Sequence, residues 1–311
     1  MQITKDRNLP RAYDLRIIQS YLTVLHKCPI PMLEIERRKL KRMLDKETAE
    51  TVLKWKRKHE IDSADESEYR YIFRDLDLIA DRKLTEIDLV LPLGGDGPPL
   101  GSFVSSKAKM FFLTEKGENL YTQLISDRPA YECALFWLIL RNQFYVRLIQ
   151  QVILDRKSYR ASDIRELIRT NDSTSKNCAV QWLRYFGIAK FGNGFRLDAE
   201  TLARRLLAAT ILEIDTYFDR NETYYLKEID RRLNETFSLS PSATDFVAAL
   251  DTIFRHAQRS VIQGYTSGRG DTVLPNHPSV SIVKFTDTIP LEIAFEADSA
   301  EILRITRYAS G

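Results

Sequence analysis

The sequence is poor in the residues that build disulfide frameworks, metal sites and fibrous or disordered chains. Cysteine occurs only as Cys28, Cys133 and Cys178, far apart and odd in number, which predicts reduced thiols in a cytosolic protein. The four histidines lack partners at the spacing of metal ligands, so no metal site is expected. Only 12 glycines and 11 prolines occur among 311 residues, which excludes collagen-like, fibrous and wholly disordered chains.

A large excess of one charge sign and a long hydrophobic run are also missing. Lys and Arg number 46 against 43 Asp and Glu, a net charge of +3, so any nucleic-acid surface must be local. The first residues contain no long apolar segment, and no cleaved signal peptide is expected. The most apolar stretch, 134–154, contains Arg141 and Arg147 and predicts a buried core helix rather than a membrane span. We therefore expect a cytoplasmic protein without membrane contact.

What the sequence does contain is mainly helical periodicity, in a chain long enough for two or three modules. Apolar residues recur at helical spacing along most of the chain. The longer predicted helices cover 13–27, 33–44, 47–59, 68–81, 134–154, 173–186, 199–218, 224–237 and 240–259. The second and third of these form a basic cluster, which we interpret either as solvated helix faces or as a phosphate-binding surface.

Three predicted helices are each followed by a predicted β-hairpin. In the first, strands near 87–91 and 110–113 flank a Gly/Pro-rich tip, and Thr114 is the expected N-cap of the next helix. In the second, a helix over 173–186 ends at Gly187, and strands at 188–191 and 195–197 flank an Asn-Gly turn. The third hairpin pairs strands at 261–265 and 280–285 across a long loop. A further strand at 291–295 and a short helix follow.

Three segments resemble winged helix-turn-helix domains. They are 73–79 (FRDLDLI), 113–117 (LTEKG) and 182–188 (WLRYFGI). In that superfamily a recognition helix ends at a leucine-rich, often glycine-containing corner, a two-stranded wing follows, and a Leu-Thr-x-x-Gly segment commonly opens the next helix. The resemblance covers about half of the chain. It implies a mainly α protein with short β-hairpins, built from tandem winged helix-turn-helix modules, with a role in nucleic-acid binding and no specific family named.

On this interpretation the chain has three parts. The first, 1–130, is an N-terminal helical region with a winged-helix unit, and the second, 131–198, is a central winged-helix unit. The third, 199–311, is a C-terminal helical, winged-helix-like unit with a terminal β segment.

The central unit has the pattern expected of a helix that contacts DNA. With Trp182, Leu183 and Phe186 in the core, helical periodicity places polar side chains on the opposite face. Asn and Gln can pair with adenine, Lys and Arg with guanine, and hydroxyls at the helix N-terminus with phosphate. The predicted DNA-binding residues are Ser173, Ser175, Lys176, Asn177, Gln181 and Arg184 on the helix, with Lys190 and Arg196 on the wing. The alternative is a polar helix face that contacts only protein.

The residues of the other two units indicate different roles. The helix of the first unit carries acidic residues such as Asp75 and Asp77, which DNA phosphates repel. We expect that unit to bind a protein partner, with any DNA contact through Lys107 and Lys109 or the basic helices before it. In the third unit, His256 near the end of the helix is expected to be a surface or capping histidine.

No catalytic motif stands out, because the sequence has no P-loop, no GxSxG elbow and no HExxH pair. Asp88 with the downstream Lys107 is the best candidate for a metal-dependent nuclease, but the second carboxylate is missing. We therefore expect a non-catalytic protein, without cofactor or metal, that binds double-stranded DNA alone or as the DNA-recognition subunit of a larger complex. The alternatives are a protein-interaction scaffold built from winged helices and, third, a divergent metal-dependent nuclease.

Overall fold

The computed structural model describes a mainly helical protein with small antiparallel sheets. The described residues are 15–27, 72–90, 99, 109–141, 181–191, 195–237, 239, 244–266 and 272–306. The chain divides into an N-terminal unit of residues 6–128 and a C-terminal unit of residues 129–311. The predicted boundary after residue 130 lies beside this division, and the predicted boundary after residue 198 lies inside the C-terminal unit.

The N-terminal unit packs two longer helices against a two-stranded sheet. Its described elements are α1 (Arg16–Lys27), α2 (72–75), β1 (Ile79–Lys83), α3 (Glu86–Val90), β2 (Lys109–Leu113) and α4 (Glu115–Ser126). The strands are antiparallel, with Ile79 opposite Leu113 and Lys83 opposite Lys109. Helix α1 packs against α4 and β2 through an apolar stripe at helical spacing. The buried residues of this stripe are Leu15, just before the helix, and Ile18, Tyr21, Leu22 and Leu25.

The start of α4 explains the Leu-Thr-x-x-Gly segment. Thr114 caps the helix as predicted, since its side chain accepts a hydrogen bond from the Gly117 N–H at 3.2 Å. A Cβ on Gly117 would lie 2.3 Å from the carbonyl oxygen of Leu78. Only glycine lets the first turn of α4 approach the strand so closely.

Two predictions for this unit are wrong. The helix predicted over 68–81 ends earlier, because Asp77 adopts a left-handed conformation (φ 58°) and Ile79 begins β1. The strand predicted at 87–91 is instead helix α3 over Glu86–Val90. Thr85 and Asp88 form the reciprocal hydrogen bonds of a capping box, which start a helix at this point.

The C-terminal unit contains seven helical segments and five strands among its described residues. They are α5 (Arg128–Arg141), α6 (181–185), β3 (Ala189–Phe191), β4 (Phe195–Leu197), α7 (Ala199–Tyr217), β5 (Thr223–Tyr225), α8 (Leu226–Phe237), α9 (Phe246–His256), β6 (Ile262–Tyr265), β7 (Ile282–Phe285), α10 (Ile293–Glu296) and α11 (Ser299–Ile302). Strands β3 and β4 form a hairpin, and the other three form a sheet of order β5-β7-β6 with antiparallel neighbours.

Helix α7 is the centre of this unit. It packs against α9, α10 and α11, and most of its residues from Leu202 to Ile214 are buried. Its contacts with α5 join Glu132 to Arg205 and Trp137 to Glu213. The second contact lies further along the sequence than the first in both helices, so α5 and α7 run parallel to each other.

Three predictions for the C-terminal unit are corrected. The helix predicted over 224–237 begins at Leu226, because residues 223–225 pair with β7 as a strand. The helix predicted from residue 240 begins at Phe246, where Asp245 is the N-cap. The strand predicted at 291–295 is helix α10, where the buried residues Ile293 and Ala294 and the C-cap Ala297 follow helical rather than alternating spacing.

The two predicted recognition helices end in the same hydrogen-bonded corner. In each, one N–H bonds to the carbonyl three residues back and the next bonds to the carbonyl five residues back, the Schellman pattern of a helix C-terminus. The bonds are Asp77 N to Arg74 O (2.9 Å) with Leu78 N to Phe73 O (2.7 Å), and Gly187 N to Arg184 O (3.0 Å) with Ile188 N to Leu183 O (3.1 Å). The N-cap residues Thr114 and Asp198 then donate their N–H groups to Leu78 and Ile188. The chain thus repeats one local structure in its two units.

Candidate nucleic-acid interface

The predicted DNA-contacting helix presents a polar face to solvent. Gln181 and Arg184 are exposed on α6, whereas Trp182, Leu183 and Phe186 are buried, as helical periodicity predicts. The Phe186 ring packs edge-on against Phe136 of α5, with centroids 5.1 Å apart. This core contact fixes the orientation of α6 and therefore of the exposed face that carries Gln181 and Arg184.

The hairpin after α6 places the two predicted wing residues opposite each other. The register of β3 and β4 pairs Lys190 with Arg196. Gly187 (φ 68°) turns the chain from α6 into β3, and the Asp198 side chain caps α7 by accepting the Thr201 N–H at 3.1 Å. Both ends of the hairpin are therefore anchored to helices.

Half of the predicted site lies outside the described residues. These are Ser173, Ser175, Lys176 and Asn177, together with most of the helix predicted over 173–186. The structure brings together the remaining four, Gln181, Arg184, Lys190 and Arg196, within one helix–hairpin segment. Contact of these residues with DNA stays a prediction.

The acidic residues of the N-terminal unit are less uniform than the sequence suggests. Asp75 is exposed on α2. Asp77 lies at the corner after the helix and forms an ion pair with Lys116 at 2.6 Å. Asp81 lies on β1 and pairs with Arg74 at 3.1 Å. The corner thus balances part of its negative charge internally, and Lys107 lies outside the described residues.

Helix α9, in the position of a third recognition helix, is almost entirely core. Of its residues from Phe246 to Ile253, all but half-buried Val247 are buried. Arg255 and His256 are exposed at its end, and His256 Nε2 lies 2.9 Å from buried Glu301. A helix held on nearly every side by the core has no free face for a DNA groove.

Asp88, the candidate nuclease carboxylate, accepts hydrogen bonds from neighbouring residues on both of its oxygens. Arg82 donates to both of its oxygens, with Nη2 2.8 Å from Oδ1. The Thr85 backbone N–H and hydroxyl each donate to Oδ2 at 2.7 Å. These hydrogen bonds from Arg82 and Thr85 hold the pKa of Asp88 well below its usual range. With both oxygens engaged, this carboxylate joins β1 to α3 rather than facing an open metal position.

Two further carboxylates, buried Asp251 and half-buried Asp215, also have structural partners in the C-terminal unit. Asp251 on α9 accepts hydrogen bonds from the Asn276 N–H (3.2 Å) and side chain, and His277 Nδ1 lies 3.3 Å away. Asp215 pairs with Arg220 at 2.6 Å, although burial still raises the pKa of Asp215. In the described part of the chain, no group of three or more His, Cys, Asp or Glu could hold a metal ion.

Sequence reasoning missed one exposed surface of the C-terminal unit. Tyr224 and Tyr225 were predicted to begin a helix, but they lie in β5, so that Tyr225 belongs to an exposed sheet face. The available signal was the β-forming Thr-Tyr-Tyr sequence after Asn221, which adopts a left-handed conformation (φ 68°).

Across the described ranges, no helix is both long and apolar enough to cross a membrane.

Comparisons with known proteins assign no family. No protein-family model matches the sequence, and no curated protein matches it. Among solved structures, a chain described as magnesium ion-bound SspB matches with a TM-score of 0.41 and 11% identity, over 91% of this chain and 88% of that chain. A likeness at this TM-score carries no argument about fold or function.

Proposed function

We propose that the chain is a non-catalytic DNA-binding protein, acting alone or as the DNA-recognition subunit of a larger complex. One observation carries the proposal. Helix α6 exposes Gln181 and Arg184 opposite a buried apolar face, and the hairpin that follows pairs Lys190 with Arg196. Gln and Arg are side chains that pair with base edges in the major groove, and a basic hairpin beside them can contact the phosphate backbone.

The pairing of Lys190 with Arg196 favours an anionic ligand. The register places these two basic residues at the same level of the hairpin. Lys and Arg bind phosphate oxygens through charge-assisted hydrogen bonds. A hairpin of this composition therefore suits a phosphate backbone better than a neutral protein surface.

We further propose that the modules are winged helices. The two corners with identical hydrogen bonds, each between a helix and a strand, support this interpretation. In the C-terminal unit, the order α7, β5, α8, α9, β6, β7 with sheet order β5-β7-β6 supports it as well. Because α9 is buried, the module from α7 to β7 would have a structural role. We assign DNA contact to α6 and its hairpin.

The competing function is a protein-interaction scaffold, and one feature of the N-terminal unit favours protein contact there. Helix α3 exposes Ile87 and Val90, which are 74% and 70% accessible. Large exposed apolar side chains of this kind are common at protein interfaces. We assign the N-terminal unit to a protein partner and the α6 surface to DNA. A nuclease is the least favoured alternative, because both oxygens of Asp88 accept hydrogen bonds from Arg82 and Thr85.

The first test is a salt series with fluorescently labelled duplex DNA and the full chain. Affinity should fall steeply with salt, because phosphate neutralisation releases counterions. If neither a selected nor a random duplex binds below about 10 μM at low salt, weaker than typical non-specific binding, the scaffold function replaces the DNA-binding function.

The second test separates base contacts from phosphate contacts. Gln181→Ala and Arg184→Ala should each cost about 1 to 3 kcal/mol on a selected site and relax its sequence preference. Lys190→Ala and Arg196→Ala should weaken all duplexes alike and reduce the salt slope. Arg231→Ala is the matched control, because Arg231 is an exposed arginine on α8 of the same unit. An equal loss in Arg231→Ala would mean that α6 has no special role.

A further inference from the structure

The three-stranded sheet of the C-terminal unit aligns two tyrosines across one of its faces. The register places Tyr225 of β5 and Tyr265 of β6 on either side of Ile282 in the central strand β7. Two residues along the strands, Thr223 and Gln263 flank Lys284 in the same way. Because residues i and i+2 of a strand lie on the same face, these six residues share one surface, which we call the tyrosine face.

The tyrosine face is open to solvent. Tyr225 and Tyr265 are 45% and 43% exposed, and Thr223 and Gln263 are also exposed. The opposite face of the sheet is core. Its residues Ile262, Val283 and Phe285 are buried. The sheet is therefore covered on one side only, and the uncovered side carries two aromatic rings.

We propose that the tyrosine face binds single-stranded nucleic acid, with unpaired bases stacked on Tyr225 and Tyr265. Adjacent strands lie about 4.8 Å apart, so the two tyrosine positions are separated by roughly 10 Å across β7. Aromatic side chains bind bases of any sequence, because every base has a π-face. A base inside a duplex is already stacked on both sides, so this binding mode selects unpaired bases.

Charge on the tyrosine face favours a nucleic acid over a protein partner. Lys284 lies at its centre and carries the only formal charge among the six residues. The described residues provide it with no ion pair, and Glu228 at the β5 edge instead accepts the Tyr225 backbone N–H at 3.4 Å. Lysine is depleted from protein–protein interfaces, whereas a phosphate between two stacked bases would neutralise it.

Gln263 adds a polar group beside one ring. The Tyr265 hydroxyl donates to Gln263 Oε1 at 2.7 Å, which fixes both side chains on the face. With its oxygen engaged, the Gln263 amide nitrogen remains a donor for a base or a phosphate. The face thus offers stacking, a positive charge and a hydrogen-bond donor.

The test measures binding of labelled oligo-dT and oligo-rU, each about 12 nucleotides long, by fluorescence anisotropy with the full chain. Tyr225→Ala and Tyr265→Ala should each weaken binding by about 5- to 160-fold, the effect of losing one stacked base. Tyr225→Phe should retain the affinity, because it keeps the ring. Phe295→Ala is the matched control, since Phe295 is 43% exposed in the same unit but lies on α10, outside the sheet.

This inference does not depend on duplex binding by α6, and the variants separate the two. The tyrosine variants should bind duplex DNA like the parent chain, whereas Arg184→Ala should lose duplex affinity and keep the oligomers. Binding of either polymer supports the proposal, and their ratio reports the contribution of the ribose 2′-hydroxyl. A parent chain that binds neither oligomer overturns it and assigns the face to a protein contact. Tyrosine variants that bind like the parent, or an equal loss in Phe295→Ala, also overturn it.

Discussion

At the scale of single residues, the two corners adopt the same left-handed backbone conformation with different residue types. Asp77 and Gly187 occupy the same position after a helix, with φ of 58° and 68°. Left-handed conformations cost an ordinary L-residue about 1 to 2 kcal/mol, whereas glycine adopts them freely and Asn or Asp tolerate them. The left-handed backbone of the corner therefore accounts for the residue type at both positions.

The left-handed conformation of Gly187 predicts how two substitutions at this position change the stability of the protein. Gly187→Ala should lower the free energy of unfolding by about 1 to 2 kcal/mol. Space is not the cause, because an added Cβ would meet only Thr201 Cγ2 at 3.6 Å. Gly187→Asn should cost less, since asparagine tolerates this conformation. Urea denaturation of the three proteins measures the order, and an asparagine variant less stable than the alanine variant would contradict the assignment.

A second residue-scale prediction concerns pH and Asp88. Its pKa is lowered in the folded protein, so the group contributes stability above its unfolded pKa of about 3.9 and loses it as pH falls toward the folded value. Asp88→Asn should therefore be less stable than the parent near neutral pH, and the difference should shrink below about pH 4. Denaturation at a series of pH values tests this. A difference that grows on acidification would mean that Asp88 is protonated in the folded state.

At the scale of secondary-structure elements, a buried carboxylate joins α5 to α7. Glu213 is completely buried and accepts a hydrogen bond from Trp137 Nε1 at 3.0 Å, while Arg141 Nη1 lies 3.6 Å from the same oxygen. The Arg141 guanidinium carbon lies 5.2 Å from the centroid of the Trp137 ring and 4.3 Å from that of the Tyr217 ring. One side chain of α7 thus positions two side chains of α5.

Removing this carboxylate should loosen the two helices. Glu213→Ala should destabilise the protein by about 2 to 4 kcal/mol, because Arg141 and Trp137 lose their buried acceptor. Glu213→Gln should cost less, because its amide oxygen can still accept the Trp137 N–H. Chemical denaturation followed by tryptophan fluorescence provides the measurement. Equal stability of the glutamine and alanine variants would show that the Trp137 hydrogen bond contributes little.

The elements also show which features a sequence can predict. Helices α1, α4 and α7 and the β3–β4 hairpin followed from signals within their own segments, such as the Thr114 cap and the glycine at 187. The strands predicted at 87–91 and 291–295 are helices, because alternation over five residues does not separate a strand from a short helix. The Thr85–Asp88 capping box was the better local signal.

The same distinction applies to the candidate sites. Exposure of Gln181 and Arg184 followed from the period of one helix. The row Tyr225–Ile282–Tyr265 depends on the register of three strands that are distant in the chain. No periodicity within one segment contains that information, so this surface emerged only from the fold.

At the scale of the whole molecule, the two units share a local structure but differ in the charge of its helix. The first corner carries Asp75 and Asp77 where the second carries Tyr185 and Gly187. Phosphates repel carboxylates and attract basic side chains. On the function proposed above, one structural unit used twice would serve two kinds of partner.

The division of function between the units is testable with variants that remove single charges. Asp75→Asn and Asp77→Asn each remove a carboxylate, and asparagine keeps the left-handed conformation that position 77 requires (φ 58°). Duplex affinity of the double variant should be unchanged or slightly higher, because repulsion from phosphate is removed, while capture of a protein partner from the native host should weaken. Arg184→Ala should show the reverse pattern. If the asparagine variant folds normally but loses DNA binding, and Arg184→Ala keeps it, DNA contact belongs to the N-terminal unit instead.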